Sequence, residues 1–166
     1  MTLQLVVRPP SAFSSIERNA FVELVKKDPQ VNKASLPGLV EQAHFLAFLY
    51  IEEKLVGTHA IKNNRPYQRR LEGADRAGVK LPDSEYFAEV GYLHIAEGHR
   101  GARLGNLLAL GIFAAVKGRG LFATIQSKNL PSRRLFERYG FLQVGKSWQS
   151  GQKDDQVSLY IRPAHY

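Results

Sequence analysis

The fold of this 166-residue chain is most constrained by a stretch that suits burial on both faces. A basic turn and an apolar helix follow this stretch at once. From Phe87 to Ile95, branched, aromatic and aliphatic residues occupy both sets of alternating positions, which is typical of a strand buried on both sides. We therefore predict that this strand lies at the centre of a sheet. A polar turn from Glu97 to Gly101 follows, and apolar residues then recur at helical spacing: Leu104, Leu107, Leu108, Ile112 and Ala115.

A strand, a glycine-bearing basic turn and a helix are the layout of a phosphate site. The first N–H groups of a helix have no intrahelical partners and, together with the helix dipole, favour an anion. The chain contains neither the Walker run that ends in Gly-Lys-Ser/Thr nor the dinucleotide fingerprint G-x-G-x-x-G. The turn is therefore predicted to bind an anion of another kind, or else to be a structural turn with solvated arginines.

Two segments resemble the signatures of one enzyme family, the GCN5-related N-acetyltransferases (GNAT). The turn from Arg100 to Gly105 is similar to the family's acyl-coenzyme A loop, Gln/Arg-x-x-Gly-x-Gly/Ala, with Arg103 at the position of the first glycine. The run from Asn129 to Phe141 is similar to the other signature, Asn-x-x-Ala/Ser-x-x-Leu-Tyr-x-x-x-Gly-Phe. It follows in the family's order and at its usual distance. By residue pattern alone, this run also indicates a helix capped by Asn129 and ended by Gly140.

The remaining pattern gives an order of strand, helices, three strands, helix, strand, helix and two strands. This order matches the α+β fold of the family, a central mixed β-sheet flanked by helices, and we expect a single domain over residues 1–166. The predicted elements outside the central strand and its helix are a strand Leu3–Arg8, a helix carrying Phe13, Ile16, Phe21 and Val25, a short helix Leu39–Ala43, strands His44–Glu52 and Leu55–Ile61, a helix Gln68–Ala77, a strand Leu121–Gln126, a helix Asn129–Tyr139, and strands Phe141–Trp148 and Gln156–Ile161 joined by a turn Gly151–Asp155.

The resemblance implies an N-acetyltransferase that moves an acetyl group from acetyl-coenzyme A to an amine by direct attack in a ternary complex. It also implies that backbone N–H groups of the central strand polarise the thioester carbonyl. The residues expected to bind the coenzyme are Leu93, His94, Ile95, Arg100, Gly101, Ala102, Arg103, Leu104, Gly105, Asn106, Asn129, Ser132 and Phe136. The chain has no cysteine, and we expect no metal.

The same resemblance suggests catalytic residues. An amine that is charged at neutral pH must lose a proton before it attacks, and Glu89 is the candidate base. The alternative is that Glu89 is only a polar residue at a strand end. Alternation places Tyr92 and His94 on the opposite face, as second-rank candidates. The family's tyrosine, which returns a proton to the coenzyme thiolate, is replaced here by Phe136, so water or Tyr139 one turn later takes that role.

Residues 62–85 form a long polar insertion, which Arg65, Arg69, Arg70, Arg76 and Lys80 make the most basic part of the chain. It is either a lid that holds an anionic acceptor or a solvated segment that covers a sheet edge. A net charge of +8 suits coenzyme phosphates, an acidic acceptor or nucleic acid, and nucleic acid is the least favoured because no known binding motif occurs. The alternative function is a non-catalytic acyl-coenzyme A sensor or nucleic-acid-binding module. Without an apolar leader or a membrane-length run, we expect a cytoplasmic monomer or homodimer with no membrane partner.

Overall fold

The computed structural model describes residues 1–151 and 154–165 of the chain. Within these residues the model contains seven strands and five helices, with a short 3-10 turn Pro10–Ala12 before the first helix. In chain order they are β1 Leu3–Arg8, α1 Ser15–Val25, α2 Leu36–Gln42, β2 Phe45–Ile51, β3 Lys54–Lys62, α3 Arg65–Leu71, β4 Ala88–Ile95, α4 Leu104–Ala114, β5 Leu121–Gln126, α5 Leu130–Arg138, β6 Leu142–Gln149 and β7 Gln156–Arg162.

The strands form a mixed sheet in the order β1-β2-β3-β4-β5-β7-β6. The ladders β1–β2, β2–β3, β5–β7 and β6–β7 are antiparallel, whereas β4 pairs with β5 in parallel. The predicted α+β class and element order are confirmed. Because β4 is the fourth strand of this order, the central position predicted for it is also confirmed.

The chain divides into two compact units, of which the first combines Met1–Asn63 with Val90–Lys117. Its apolar core includes Phe21, Leu36, Leu46 and Phe48, all fully buried. Helix α1 begins with a capping box in which Ser14 and Glu17 satisfy each other's backbone N–H groups. Phe13, which was predicted to lie on this helix, precedes it, and Ile16 in the first helical turn is 80% exposed.

The second unit combines Asn64–Glu89 with Gly118–Tyr166, and so contains nearly all of the insertion. Helix α3 begins after its cap Asn64, whose side chain accepts a hydrogen bond from the Tyr67 N–H, and it ends at Leu71. It thus lies earlier than the predicted Gln68–Ala77. The apolar residues of the insertion pack with β5 and β7 in one buried cluster: Leu71, Ala77, Leu81, Tyr86, Phe122 and Leu159. The insertion is therefore part of a core.

The insertion also covers the edge strand β6. The pairing of β6 with β7 is irregular between Val144 and Trp148, and there the Lys146 N–H donates to the Ala77 carbonyl oxygen at 3.0 Å. Gly145 has φ +68, and a Cβ at this position would overlap that carbonyl oxygen and lie 2.6 Å from Val79. This contact supports the second reading of the insertion, a cover for a sheet edge. The predicted turn Gly151–Asp155 includes positions 152 and 153, which lie outside the described residues.

We predict that Gly145→Ala destabilises the protein by about 2 kcal/mol or more, because the new methyl group meets the insertion backbone and positive φ is unfavourable for alanine. Urea unfolding would measure the loss, and limited trypsin digestion after Arg70, Arg76 or Lys80 would become faster. The control is Gly38→Ala in α2, where a Cβ meets nothing within 4 Å. Equal stability of both variants would contradict the packing of the insertion against β6.

Candidate active site

The turn between β4 and α4 has the features of an anion site. Gly98 and Gly101 adopt φ of +86 and +83, and a Cβ on either would meet no atom within 4 Å. Glycine is therefore favoured at these positions by the backbone conformation and not by a lack of space for a side chain. Arg100 is exposed, and its Nε donates to the Ile95 carbonyl oxygen at 3.3 Å. The two turn arginines, Arg100 and Arg103, and the small residues Gly101 and Ala102 are all exposed.

Arg103 occupies the N-cap position of α4 with φ 59 and ψ 18, in the left-handed region. This conformation explains why the related pattern has glycine here, since the left-handed region costs a residue with a Cβ about 1–2 kcal/mol. The side chain of Arg103 makes no cap hydrogen bond within the described chain, unlike Ser14, Asn64 and Asn129 at their helices. The Asn106 N–H donates to the Arg103 carbonyl oxygen at 3.1 Å, so the N–H groups of Leu104 and Gly105 are the first-turn donors of α4 that suit a phosphate oxygen.

The backbone of β4 is irregular at Gly91 and Tyr92. Tyr92 has φ 55, which is unusual for a bulky residue inside a strand. A Cβ on Gly91 would lie 2.7 Å from Lys62 Cδ, and Lys62 Nζ lies 4.6 Å from the centroid of the Tyr92 ring. Two successive residues of the strand thus face the same side chain, as in a β-bulge. Alternation does not continue through the bulge, so it no longer assigns Tyr92 and His94 to a face of the strand.

Two side chains of β3 hold the irregular peptides of β4. Thr58 Oγ1 donates to the Tyr92 carbonyl oxygen at 3.0 Å, and His59 Nδ1 lies 2.8 Å from the Gly91 carbonyl oxygen. A carbonyl only accepts, so the Nδ1 of His59 carries the proton. Both side chains are fully buried, and burial lowers the pKa of His59 to about 4, which keeps the ring neutral near pH 7. Two such hydrogen bonds contribute about 1 kcal/mol each, comparable with the cost of a left-handed Tyr92.

The other predicted residues of β4 differ in burial. His94 is buried, and its pKa is lowered by desolvation first, with Asp28 acting in the opposite direction and Arg100 and Lys27 reinforcing the lowering. The Ile95 side chain lies beside Gly57, where Leu108 of α4 also packs, so Ile95 has a structural side chain. Leu93 is half-buried. A role for Leu93 and Ile95 toward the coenzyme would therefore belong to their backbone.

In the second unit, the candidate base Glu89 is buried, with 4% of its surface exposed. Thr124 Oγ1 on β5 lies 3.5 Å from Glu89 Oε1, and Tyr67 Oη donates to Thr124 Oγ1 at 3.2 Å. A hydroxyl that accepts from Tyr67 keeps its own proton to donate to the carboxylate, so the three groups form a directed chain. Glu89 is thus oriented by side chains rather than standing at a solvated strand end.

Helix α5 carries the second signature. The Asn129 side chain accepts from the Ser132 N–H at 3.2 Å and caps the helix, as predicted, and Gly140 at φ +86 ends it. Phe136 is buried and contacts the ring of Phe141 edge-on, with centroids 5.0 Å apart. Tyr139 is the C-cap residue, and its pKa is raised mainly by burial.

The insertion arginines are mostly engaged within the second unit. Arg65 pairs with Asp83 and donates to Gln68, and Arg69 pairs with Glu72 and Asp83 and donates to the Leu81 carbonyl. Arg76 pairs with Asp75, and Lys80 Nζ lies 3.8 Å from Glu72. Arg70 is exposed and has no ionic partner among the described residues. Among the insertion arginines that a lid would offer to an anionic acceptor, only Arg70 therefore has no carboxylate partner among the described residues.

Four side chains that hold the candidate groups within their own units were not predicted from the sequence: Thr58 and His59 in the first unit, and Tyr67 and Thr124 in the second. Polar residues at positions 58 and 59, inside an otherwise apolar run, were the available signal for the first pair. Tyr67 is an aromatic residue within a basic segment, which gives no local sign of a role at Glu89. Its contact with Thr124 spans 57 residues of the chain, which no local pattern reports.

The protein thus has a mixed sheet, a helix N-terminus suited to a phosphate in its first unit, and a buried carboxyl group on β4 in its second unit. Among solved structures, an acyl-CoA N-acyltransferase from Pseudomonas aeruginosa has a TM-score of 0.67 and 16% identity, covering 97% of this chain and 99% of that chain. The ribosomal-protein-S18-alanine N-acetyltransferase from Escherichia coli has a TM-score of 0.68 and 10% identity, covering 98% and 96%. Arabidopsis thaliana NAA60 in complex with a bisubstrate analogue has a TM-score of 0.64 and 14% identity, covering 96% and 98%.

A family model described as the acetyltransferase (GNAT) family matches residues 12–141. The chain belongs to this family, which confirms the resemblance and the GNAT acyltransferase fold. No curated protein sequence matches the chain. Among the residues that the structure describes, no helix has the length and apolar character to cross a membrane. The same described residues contain no group of three His, Cys, Asp or Glu side chains arranged for a metal ion.

We predict that Arg103→Gly raises the free energy of unfolding by about 1 kcal/mol, since glycine adopts φ 59 without steric cost. Urea denaturation would measure the gain. Arg103→Lys is the matched control, because it keeps both the charge and the strained Cβ and should leave stability unchanged. A glycine variant less stable than the lysine variant would show that the arginine side chain holds the turn together.

Proposed function

We propose that this protein transfers an acetyl group from acetyl-coenzyme A to an amine, by direct attack within a ternary complex. The observation that carries the proposal is the uncapped N-terminus of α4, entered through exposed arginines and glycines with positive φ directly after the central strand. Membership of the GNAT family supports acetyl-coenzyme A as the donor. We propose one catalytic domain, with Arg100 to Asn106 holding the diphosphate, and Asn129, Ser132 and Phe136 lying beside the coenzyme.

Glu89 is the proposed base. An alkyl amine with a pKa near 10 is protonated at neutral pH and must lose a proton before it attacks the thioester. A buried carboxyl group aligned by Thr124 and Tyr67 suits this step, because burial excludes competing water and the hydrogen-bonded chain fixes which oxygen faces away from Thr124. His94, whose pKa is lowered, is the second candidate, since a neutral imidazole can accept a proton near pH 7.

Protonation of the departing thiolate is assigned to water or to Tyr139. Phe136 has no proton to give, and it is buried against Phe141. Tyr139 lies one helical turn later on α5 and, with its raised pKa, holds its proton at neutral pH. A thiolate is a tolerable leaving group near neutrality, so the reaction does not depend on a strong acid at this position.

An acidic or phosphorylated amine is the proposed acceptor class. The chain carries 23 lysines and arginines against 15 aspartates and glutamates, and the resulting field draws in anions. Arg70, the insertion arginine that no described carboxylate engages, is the cation best placed to contact such an acceptor. The test is a transfer assay with acetyl-coenzyme A over amines, polyamines, amino acids, peptides and aminoacyl-tRNA. Coenzyme binding without transfer to any of them would favour the alternative function, an acyl-coenzyme A sensor.

We predict that Glu89→Gln lowers kcat by about 10²- to 10⁴-fold, the usual size of general-base catalysis. Acetyl-coenzyme A affinity, measured by calorimetry, should change less than twofold, because the amide keeps the shape of the carboxyl group. Glu85→Gln makes the same chemical change at an exposed position and should behave as the wild type. Retention of wild-type turnover and pH profile by Glu89→Gln would reassign Glu89 to a structural role.

The coenzyme site is tested by Gly105→Asp at the second position of α4. The new carboxylate faces the proposed diphosphate, so acetyl-coenzyme A should bind at least tenfold more weakly, about 1.4 kcal/mol. Acidic residues in the first helical turn are favourable for the helix itself, so stability should not fall for that reason. Gly151→Asp repeats the charge change at an exposed turn where a Cβ meets nothing within 4 Å. Unchanged affinity in Gly105→Asp would place the coenzyme elsewhere.

A further inference from the structure

We propose that Thr58 and His59 are positioning residues for acetyl transfer: by holding the carbonyls of Tyr92 and Gly91, they aim the N–H groups of Leu93 and Tyr92 toward the reacting carbonyl. This inference rests on the proposed function, because it concerns the donors that would polarise the thioester. Neither Thr58 nor His59 would touch the coenzyme or the amine. They would act through the peptides of β4.

The carbonyl groups of Gly91 and Tyr92 both point toward β3. In a regular strand, successive carbonyl groups point to opposite sides, toward different neighbouring strands. Here the consecutive oxygens of Gly91 and Tyr92 both accept from side chains of β3, at 2.8 and 3.0 Å. The left-handed φ of 55 at Tyr92 makes this possible by reorienting one peptide relative to the other.

The planarity of the peptide group links the direction of each carbonyl to that of the following N–H group. In a trans peptide the C=O and the following N–H share a plane and point in opposite directions. The group that fixes the Tyr92 carbonyl therefore fixes the Leu93 N–H, and the group that fixes the Gly91 carbonyl fixes the Tyr92 N–H. Two successive N–H groups are thereby directed away from the side chains that hold them. Pairs of successive N–H groups in this kind of backbone form anion-binding concavities.

The side chains of Thr58 and His59 are themselves held in place by packing. His59 contacts Phe113 of α4, with ring centroids 6.3 Å apart, and Thr58, the preceding residue of β3, faces the other side of the sheet. Both side chains are fully buried. The Tyr92 ring adds an edge-on contact with Phe21 of α1, with centroids 6.4 Å apart. Side chains of the first unit therefore hold the bulge from both faces of the sheet. A hydrogen bond to a carbonyl also polarises the N–H of the same peptide.

The test compares Thr58→Val, which removes the hydroxyl at nearly constant shape, with Thr58→Ser, which keeps it. Each variant is measured for thermal unfolding, acetyl-coenzyme A affinity, kcat, and the infrared C=O stretch of bound [1-¹³C]acetyl-coenzyme A. We expect Thr58→Val to bind the coenzyme within twofold of the wild type, to lose at least tenfold in kcat, and to lose the lowering of the C=O frequency. Thr58→Ser should recover kcat and frequency. A reduced melting temperature without change in frequency or kcat would show a purely structural role and overturn the proposal.

A second pair of variants keeps the test decisive if Thr58→Val fails to fold. His59→Asn retains a donor near the position of Nδ1, whereas His59→Leu removes it, and only the leucine variant should show the higher C=O frequency. Equal behaviour of the two would overturn the role of His59. A wild-type protein that does not bind acetyl-coenzyme A would instead refute the proposed function. In that case, amide hydrogen exchange at Leu93 in Thr58→Val and Thr58→Ser would still report whether the hydroxyl holds the bulge.

Discussion

Every peptide group of the buried strand β4 needs a hydrogen-bond partner, and this requirement organises the first unit around Gly91 and Tyr92. A carbonyl left unsatisfied in this interior would cost about 1–3 kcal/mol, more than enough to return the strand to regular geometry. The left-handed Tyr92 persists because Thr58 and His59 satisfy the two displaced carbonyls. The irregular central strand β4 therefore depends on two polar side chains of the neighbouring strand β3, whose other buried residues are apolar.

The second unit shows a different use of polar groups. The part of the insertion that lies in this unit carries five cations, and four of them pair with carboxylates of the same insertion: Glu72, Asp75 and Asp83. Exposed ion pairs of this kind are individually weak, so the apolar cluster around Leu71 and Leu81 has to supply most of the stability. The network instead sets the conformation of a segment that covers β6. Recognition of an acidic acceptor would then rely on the few cations left outside it and on the field of the whole chain.

Periodicity and turn chemistry predicted the fold well because they are local. The β5 bounds Leu121–Gln126 and the Asn129 cap of α5 follow directly from alternation, capping and a terminal glycine. The predictions fail at positions where contacts between residues far apart in the sequence determine the conformation. The alternation of β4 breaks at Tyr92 because residues of β3 stabilise a conformation that no tyrosine prefers by itself. The contact of Tyr67 with Thr124 likewise exists only after the insertion has packed.

The replacement of tyrosine by Phe136 is consistent with a reaction whose difficulty lies on the amine side. A thiol ionises near pH 8.5, whereas Tyr139 has a pKa raised above its ordinary value near 10, so proton transfer from this phenol to a thiolate is uphill. Of the two proposed proton sources, water is therefore favoured, and Tyr139 would act on the leaving sulfur mainly through a hydrogen bond. A hydroxyl at position 136 would also have to find a partner in the apolar contact with Phe141. In the proposed reaction, removing the proton from the amine, which needs a placed base, is then the demanding step.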